Sequence, residues 1–133
     1  RNKMKISENE IQKILESGSF LIEKGYVVAC NEYDISYTKD GILFKIAFEP
    51  YSDISSVSIW FRENNKEFNI GWIAFVRENI KTNPHERLAN AVILLNYINN
   101  NYQDVSNYEF CEESEKMVDD FIVKRHSNTT KQS

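Results

Sequence analysis

The sequence predicts an α+β fold: a five-stranded antiparallel meander sheet with an N-terminal helix before it and two C-terminal helices after it (α-β5-α-α). Two observations carry this. Ile42, Phe44, Ile46 and Phe48, then Val57, Ile59 and Phe61, then Phe68, Ile70, Trp72, Ala74 and Val76 recur at every second residue, which places each set on one side of a pleated strand. The connections between these runs are too short for crossover helices, so the strands pair antiparallel in chain order.

Taken in order, Ser7 and Glu10 have capping-box spacing and open a helix whose apolar stripe is Ile11, Ile14, Leu15, Leu21 and Ile22, ended by Gly25. Gly18 falls on that stripe, where a close approach of helix to sheet explains a residue that costs about 1 kcal/mol relative to Ala. Tyr26 to Cys30 reads as the first strand, and Tyr33, Ile35 and Tyr37 alternate along the second. Asp40-Gly41 is the sharpest turn signal in the chain and joins strands two and three as a hairpin. Strand four spans Val57 to Arg62 and strand five Phe68 to Arg77. Asn83-Pro84-His85-Glu86 has the composition of a helix start, followed by a stripe of Leu88, Ala91, Val92, Leu95, Ile98 and Tyr102. A last helix is expected from Cys111 to Arg125, with Met117, Val118, Phe121 and Ile122 inward. The chain reads as one domain, 1–133, with its core at about 6–125 and a mobile tail at 126–133. Strand faces opposite the apolar one carry Leu43, Lys45, Ala47, Trp60, Ile73 and Phe75. With three helices available for two faces, a helix is expected to cross that side as well; otherwise Trp60, Ile73 and Phe75 form an exposed, partly apolar patch of the kind partners use.

The 133 residues suffice for a core without metal or disulfide staples. Sixteen basic against twenty acidic side chains give a formal charge of -4, and the bases are scattered, which disfavours nucleic acid as a partner. No apolar run is long enough to cross a membrane. Cys30 and Cys111 lack CxxC spacing and read as buried, reduced thiols, so a cytoplasmic location is expected.

Chemistry is sparse. The only histidines are His85, in a helix's first turn where a positive charge is disfavoured, and His126, near a helix end. The four glycines stand too far apart to cradle a phosphate. Neither a catalytic constellation nor a metal or cofactor site is expected. Glu112, Glu115 and Asp119 share one helix face; compensation of the helix dipole accounts for them as well as an acidic docking stripe does. Tyr51 with Asp53 in a loop, and Trp60 on the outer strand face, are the aromatic and acidic side chains best placed for partner recognition. An alternative reading is a small-molecule-binding or catalytic domain with a pocket on the mixed sheet face, using Tyr37, Glu49 or Trp60.

Gly25-Tyr26 at the helix-to-strand entry, the Tyr51-Ser52-Asp53 loop, Gly71-Trp72-Ile73, and Leu94-Leu95-Asn96-Tyr97 ahead of Tyr102 and a closing helix resemble small immunity proteins of Gram-positive polymorphic-toxin and contact-dependent inhibition systems. The similarity spans roughly Leu21 to Ile122. It implies a cytoplasmic, non-enzymatic protein that binds the toxin domain of its own operon, often a nuclease, and blocks its active site.

Overall fold

Asp40 and Gly41 fix the register of the sheet. Their φ values of 47° and 81° are both positive, as a type I′ turn requires, and they place Lys39 opposite Ile42. In the computed structural model, which describes residues 3–132 and the side chains of 3–127, five strands follow from this hairpin. They are β1 (Val27–Cys30), β2 (Asp34–Lys39), β3 (Ile42–Phe48), β4 (Ser55–Phe61) and β5 (Lys66–Asn69), antiparallel throughout in the order β1-β2-β3-β4-β5. The expected meander is therefore present.

One side of the sheet forms the core, with Val28 and Ile42 partly buried at its margin. Ile35, Tyr37, Phe44, Ile46, Phe48, Val57, Ile59, Phe61 and Phe68 lie there beneath the helices. At about 25 cal/mol per Å² of apolar surface, each such side chain contributes about 1.5–3 kcal/mol. Helices α1 (Glu8–Ser17), α2 (Ser19–Glu23), α3 (Ile70–Glu78), α4 (Arg87–Asn100), α5 (Tyr102–Val105) and α6 (Tyr108–Gln132) supply the rest of the core, α3 and α4 lying on β4, α1 on α4 and α6 on α3.

The opposite side is open. Ser36, Thr38, Leu43, Lys45, Ala47, Ser56, Ser58, Trp60 and Glu67 point there and none is buried. Among the described residues no helix covers it, and the reason lies in residues 70–78. Expected as the continuation of strand five, they form α3, which folds back onto the same side as the other helices. An unbroken apolar run suits either a strand or a buried helix. Local polar groups decide it: the Asn69 side chain accepts the Trp72 amide at 2.9 Å, and Asn79 closes the helix in the left-handed conformation at φ 55°. Ile70, Ile73 and Ala74 are then buried at helical spacing. Trp72, expected among the inward residues of a strand, is 39 % exposed.

The remaining departures are local. The capping box of Ser7 and Glu10 forms as expected, but the first helix breaks at Gly18. A Cβ on Gly18 would clash with the hydroxyl of Tyr37 and come 2.8 Å from its Cζ, so the expected close approach to the sheet is real. Gly25, at φ 97°, ends α2 in a Schellman arrangement: Tyr26 donates to the Leu21 carbonyl and Gly25 to that of Ile22. Helix α4 begins at Arg87, four residues beyond Asn83, because the Pro84 carbonyl accepts the Ser55 amide and holds 83–86 as a turn against β4. Helix α6 begins at Tyr108, three residues before the expected start, with Asn107 accepting the Phe110 amide. Its backbone continues through Gln132 where a mobile tail was expected, since 126–132 hold neither Gly nor Pro to stop it; Ser133 lies outside the described residues.

Cys111 is buried, its thiol donating to the Val105 carbonyl, and burial pushes it up to about 12. Cys30, expected to be buried, is exposed at the end of β1. No helix among the described residues is long and apolar enough to cross a membrane.

Candidate functional site

The first half of α6 concentrates the charge of the molecule. Residues 108–120 hold six acids, Glu109, Glu112, Glu113, Glu115, Asp119 and Asp120, against one base, Lys116. Acids and bases nearly balance in the rest of the chain, so the net negative charge belongs to this ridge. Two of the acids are tied to neighbouring elements. Glu115 pairs with Lys66 of β5 at 2.8 Å and, by that hydrogen bond, holds the lysine above its ordinary range; Glu113 lies 3.7 Å from Arg77 of α3. Glu112 accepts a hydrogen bond from the Tyr108 hydroxyl at 3.0 Å, which adds to partial burial in raising the phenol's pKa. Asp119 and Asp120 are exposed.

Apolar side chains flank the same ridge. Met117, Ile122 and Val123, all at least 38 % exposed, stand along α6. Met117 and Ile122 were expected to point inward; the buried face of α6 is instead made by Cys111, Ser114 and Val118. Trp72, Phe75 and Phe121 form a cluster between α3 and α6, with ring centroids 5.1–6.2 Å apart. Beside it opens a groove of about 420 Å³, whose walls include Ile80, Leu94, Asn69, Asn90 and Lys81. Asn90 is itself held, its amide donating to the Ser55 carbonyl and hydroxyl at 3.1 and 3.0 Å.

The six residues singled out from sequence do not form one surface. Tyr51 is 45 % exposed on the β3–β4 loop, and Asp53 lies in the same loop, 3.7 Å from Arg87. Glu112, Glu115 and Asp119 do share a face of α6, near the Lys66 end of β5. That end and the Tyr51 loop are separated by the length of β4, about 20 Å for seven residues. Trp60 is on the open side of the sheet, half-buried and donating to Asn65 at 3.3 Å. Tyr37 and Trp60 occupy opposite sides of the sheet, so they cannot line one pocket. The groove beside Trp72 lies among β4, α3, α4 and residues 80–84, with Phe121 of α6 in one wall. Trp72 and Phe75 were hidden from sequence reasoning because 70–77 was assigned to a strand; the Asn69 and Asn79 caps were the available signal.

Among the described residues no cluster of three or more His, Cys, Asp or Glu side chains is arranged to hold a metal ion. Compared with known proteins, the chain matches no family model, no curated protein and no solved structure.

Proposed function

We propose that this chain is an immunity protein that binds and neutralises a cognate bacterial toxin domain, a nuclease, by occupying its active or substrate-binding site. The observation that supports this reading is the α6 ridge, where a dense row of carboxylates runs beside exposed Met117, Ile122, Val123 and Trp72. A domain that grips nucleic acid carries a basic surface. Such a surface is drawn to the acidic ridge at long range, while the apolar side chains bury on contact and slow release. The rigid backing of α6 on α3 keeps the ordering cost of docking small. The test is coexpression with the toxin domain encoded beside its gene. Cells should survive, and Asp119→Lys with Asp120→Lys should slow association on the order of tenfold at low salt without changing the fold. Survival no better than with an empty vector would count against the proposal.

A second reading, a small-molecule-binding domain, draws support from the groove beside Trp72. Its volume of about 420 Å³ falls within the range of ligand pockets. Three aromatic rings on one side, with the Lys81 ammonium in the wall, suit a flat, aromatic carboxylate. Titration of a naphthoate or indole carboxylate should quench Trp72 fluorescence with saturation, and Leu94→Trp, which fills the groove, should abolish the change. A linear, unsaturable response would dispose of this reading.

A further inference from the structure

Charge is distributed unevenly around the groove beside Trp72. The chain as a whole carries 20 acids against 16 bases. Yet the ionisable side chains in the walls of this groove are Lys81 and Arg125 alone, with no Asp, Glu or His of the described residues among them. Lys81 belongs to the segment between α3 and α4 and Arg125 to α6, so two separate elements each bring a cation to one cavity. Asn69, Gly71 and Trp72, the cap and first turn of α3, form another stretch of wall, and the partial positive charge of a helix start adds to theirs.

The best-buried polar groups of the wall are already engaged. Asn90 donates to the Ser55 carbonyl and hydroxyl, and that hydroxyl donates to the Arg87 carbonyl at 2.7 Å. These bonds brace β4 against α4 and leave recognition to the two cations and to the rings of Trp72, Phe75 and Phe121. The rings hold the flat body of a ligand but balance no charge. A carboxylate, with one negative charge, balances one cation; a phosphate monoester, carrying about −1.5 to −2 near neutral pH, balances both.

We propose that the groove binds a phosphate monoester of a flat aromatic compound and prefers it to the corresponding carboxylate. This rests on the small-molecule reading of the groove and is independent of the immunity reading. A second negative charge about 5 Å from a cation at the protein surface gains on the order of tenfold in affinity at low salt. The guanidinium adds geometry, since its planar fork matches phosphate oxygens in pairs. The volume of about 420 Å³ is within the range that takes such a ring system and its ester.

Two ligands with the same ring system separate the charge from the ring. In titration calorimetry at low salt, naphthyl phosphate should bind on the order of tenfold more tightly than naphthoate. Arg125→Gln and Lys81→Gln, both at exposed side chains, should each bring the two affinities to within about threefold. Lys45→Gln, which removes the same charge on the open side of the sheet, should leave the preference intact. Should a wall variant fold poorly, salt decides the matter: in the unaltered chain the preference should fade toward about twofold at about 0.5 M salt. Saturable binding of both ligands with equal affinity would overturn the proposal and leave the small-molecule reading in place. A preference that survives both wall substitutions, that ignores salt, or that Lys45→Gln removes equally would also overturn it. If neither ligand saturates, that reading falls and the proposal with it.

Discussion

Replacing Arg87 by Met should destabilise the fold by about 3–5 kcal/mol, the cost of stranding one member of a buried ion pair. The Arg87 side chain is 9 % exposed at the start of α4. Its guanidinium forks onto Glu10 of α1, Nε to Oε2 at 2.8 Å and Nη2 to Oε1 at 2.7 Å. It also donates to the Met4 and Lys5 carbonyls at 3.2 Å and lies 4.8 Å from the centroid of the Phe48 ring. One side chain thereby joins the N-terminal segment, α1, α4 and β3. Arg87→Lys should recover little of this, because an ammonium cannot reproduce the planar fork.

The same pair gives stability a pH dependence of known sign. Burial raises the pKa of Glu10, but the hydrogen bonds and charge of Arg87, together with the Ser7 amide and hydroxyl, outweigh it and hold the carboxyl below its ordinary value of 4.5. A depressed carboxylate contributes its stability above the unfolded-state pKa and loses it as pH falls through the folded-state one. Thermal melts should therefore show Glu10→Gln costing most at neutral pH and progressively less below about pH 4.3. A cost that stays constant between pH 7 and pH 3 would exclude the Glu10–Arg87 pair as its origin.

The second large effect is expected where α1 meets the sheet. Gly18→Ala, ordinarily stabilising by about 1 kcal/mol in a helix, should here destabilise by about 1–3 kcal/mol through overpacking. Tyr37 cannot move aside, being fully buried among Phe44, Ile14 and Leu21, and its hydroxyl has no hydrogen-bond partner among the described residues. Burial pushes that phenol up to about 12, so it stays protonated at neutral pH. Tyr37→Phe removes an unsatisfied buried group and should be neutral or stabilising by about 1 kcal/mol. It should also reduce the cost of Gly18→Ala, leaving the contact with the ring carbon. Denaturant titrations of the two single variants and the double variant measure the coupling; additive effects would show that Gly18 and Tyr37 do not meet.

What the sequence disclosed and what it withheld follow from the range of the forces involved. The capping box, the Asp40-Gly41 turn and the alternation from Ile42 to Phe61 are encoded within a few residues, and all three form. Residues 70–76 are apolar nearly throughout, so periodicity could not separate strand from helix, and the error displaced Trp72 and Phe75 from α3 to a sheet face. Arg87 was missed as a core residue for a related reason. It falls with Asn90, Ala91, Leu94 and Ile98 on one buried stripe of α4, and a polar pair on such a stripe is the only local trace of a partner that lies 77 residues away. The acidic residues of α6 were visible, but which helix face they occupy beside exposed apolar groups depended on where α6 begins.

Each strand pairs only with its neighbour along the chain, and this order bears on the speed and sequence of assembly. Hairpins close short loops at little entropic cost and can zip together one after another. The clasp between Glu10 and Arg87 must instead wait until two segments 77 residues apart, with the whole sheet between them, have been drawn together. It therefore belongs to the last stage of folding and the first stage of unravelling, so loss of the guanidinium should shorten the lifetime of the native state while barely slowing its formation.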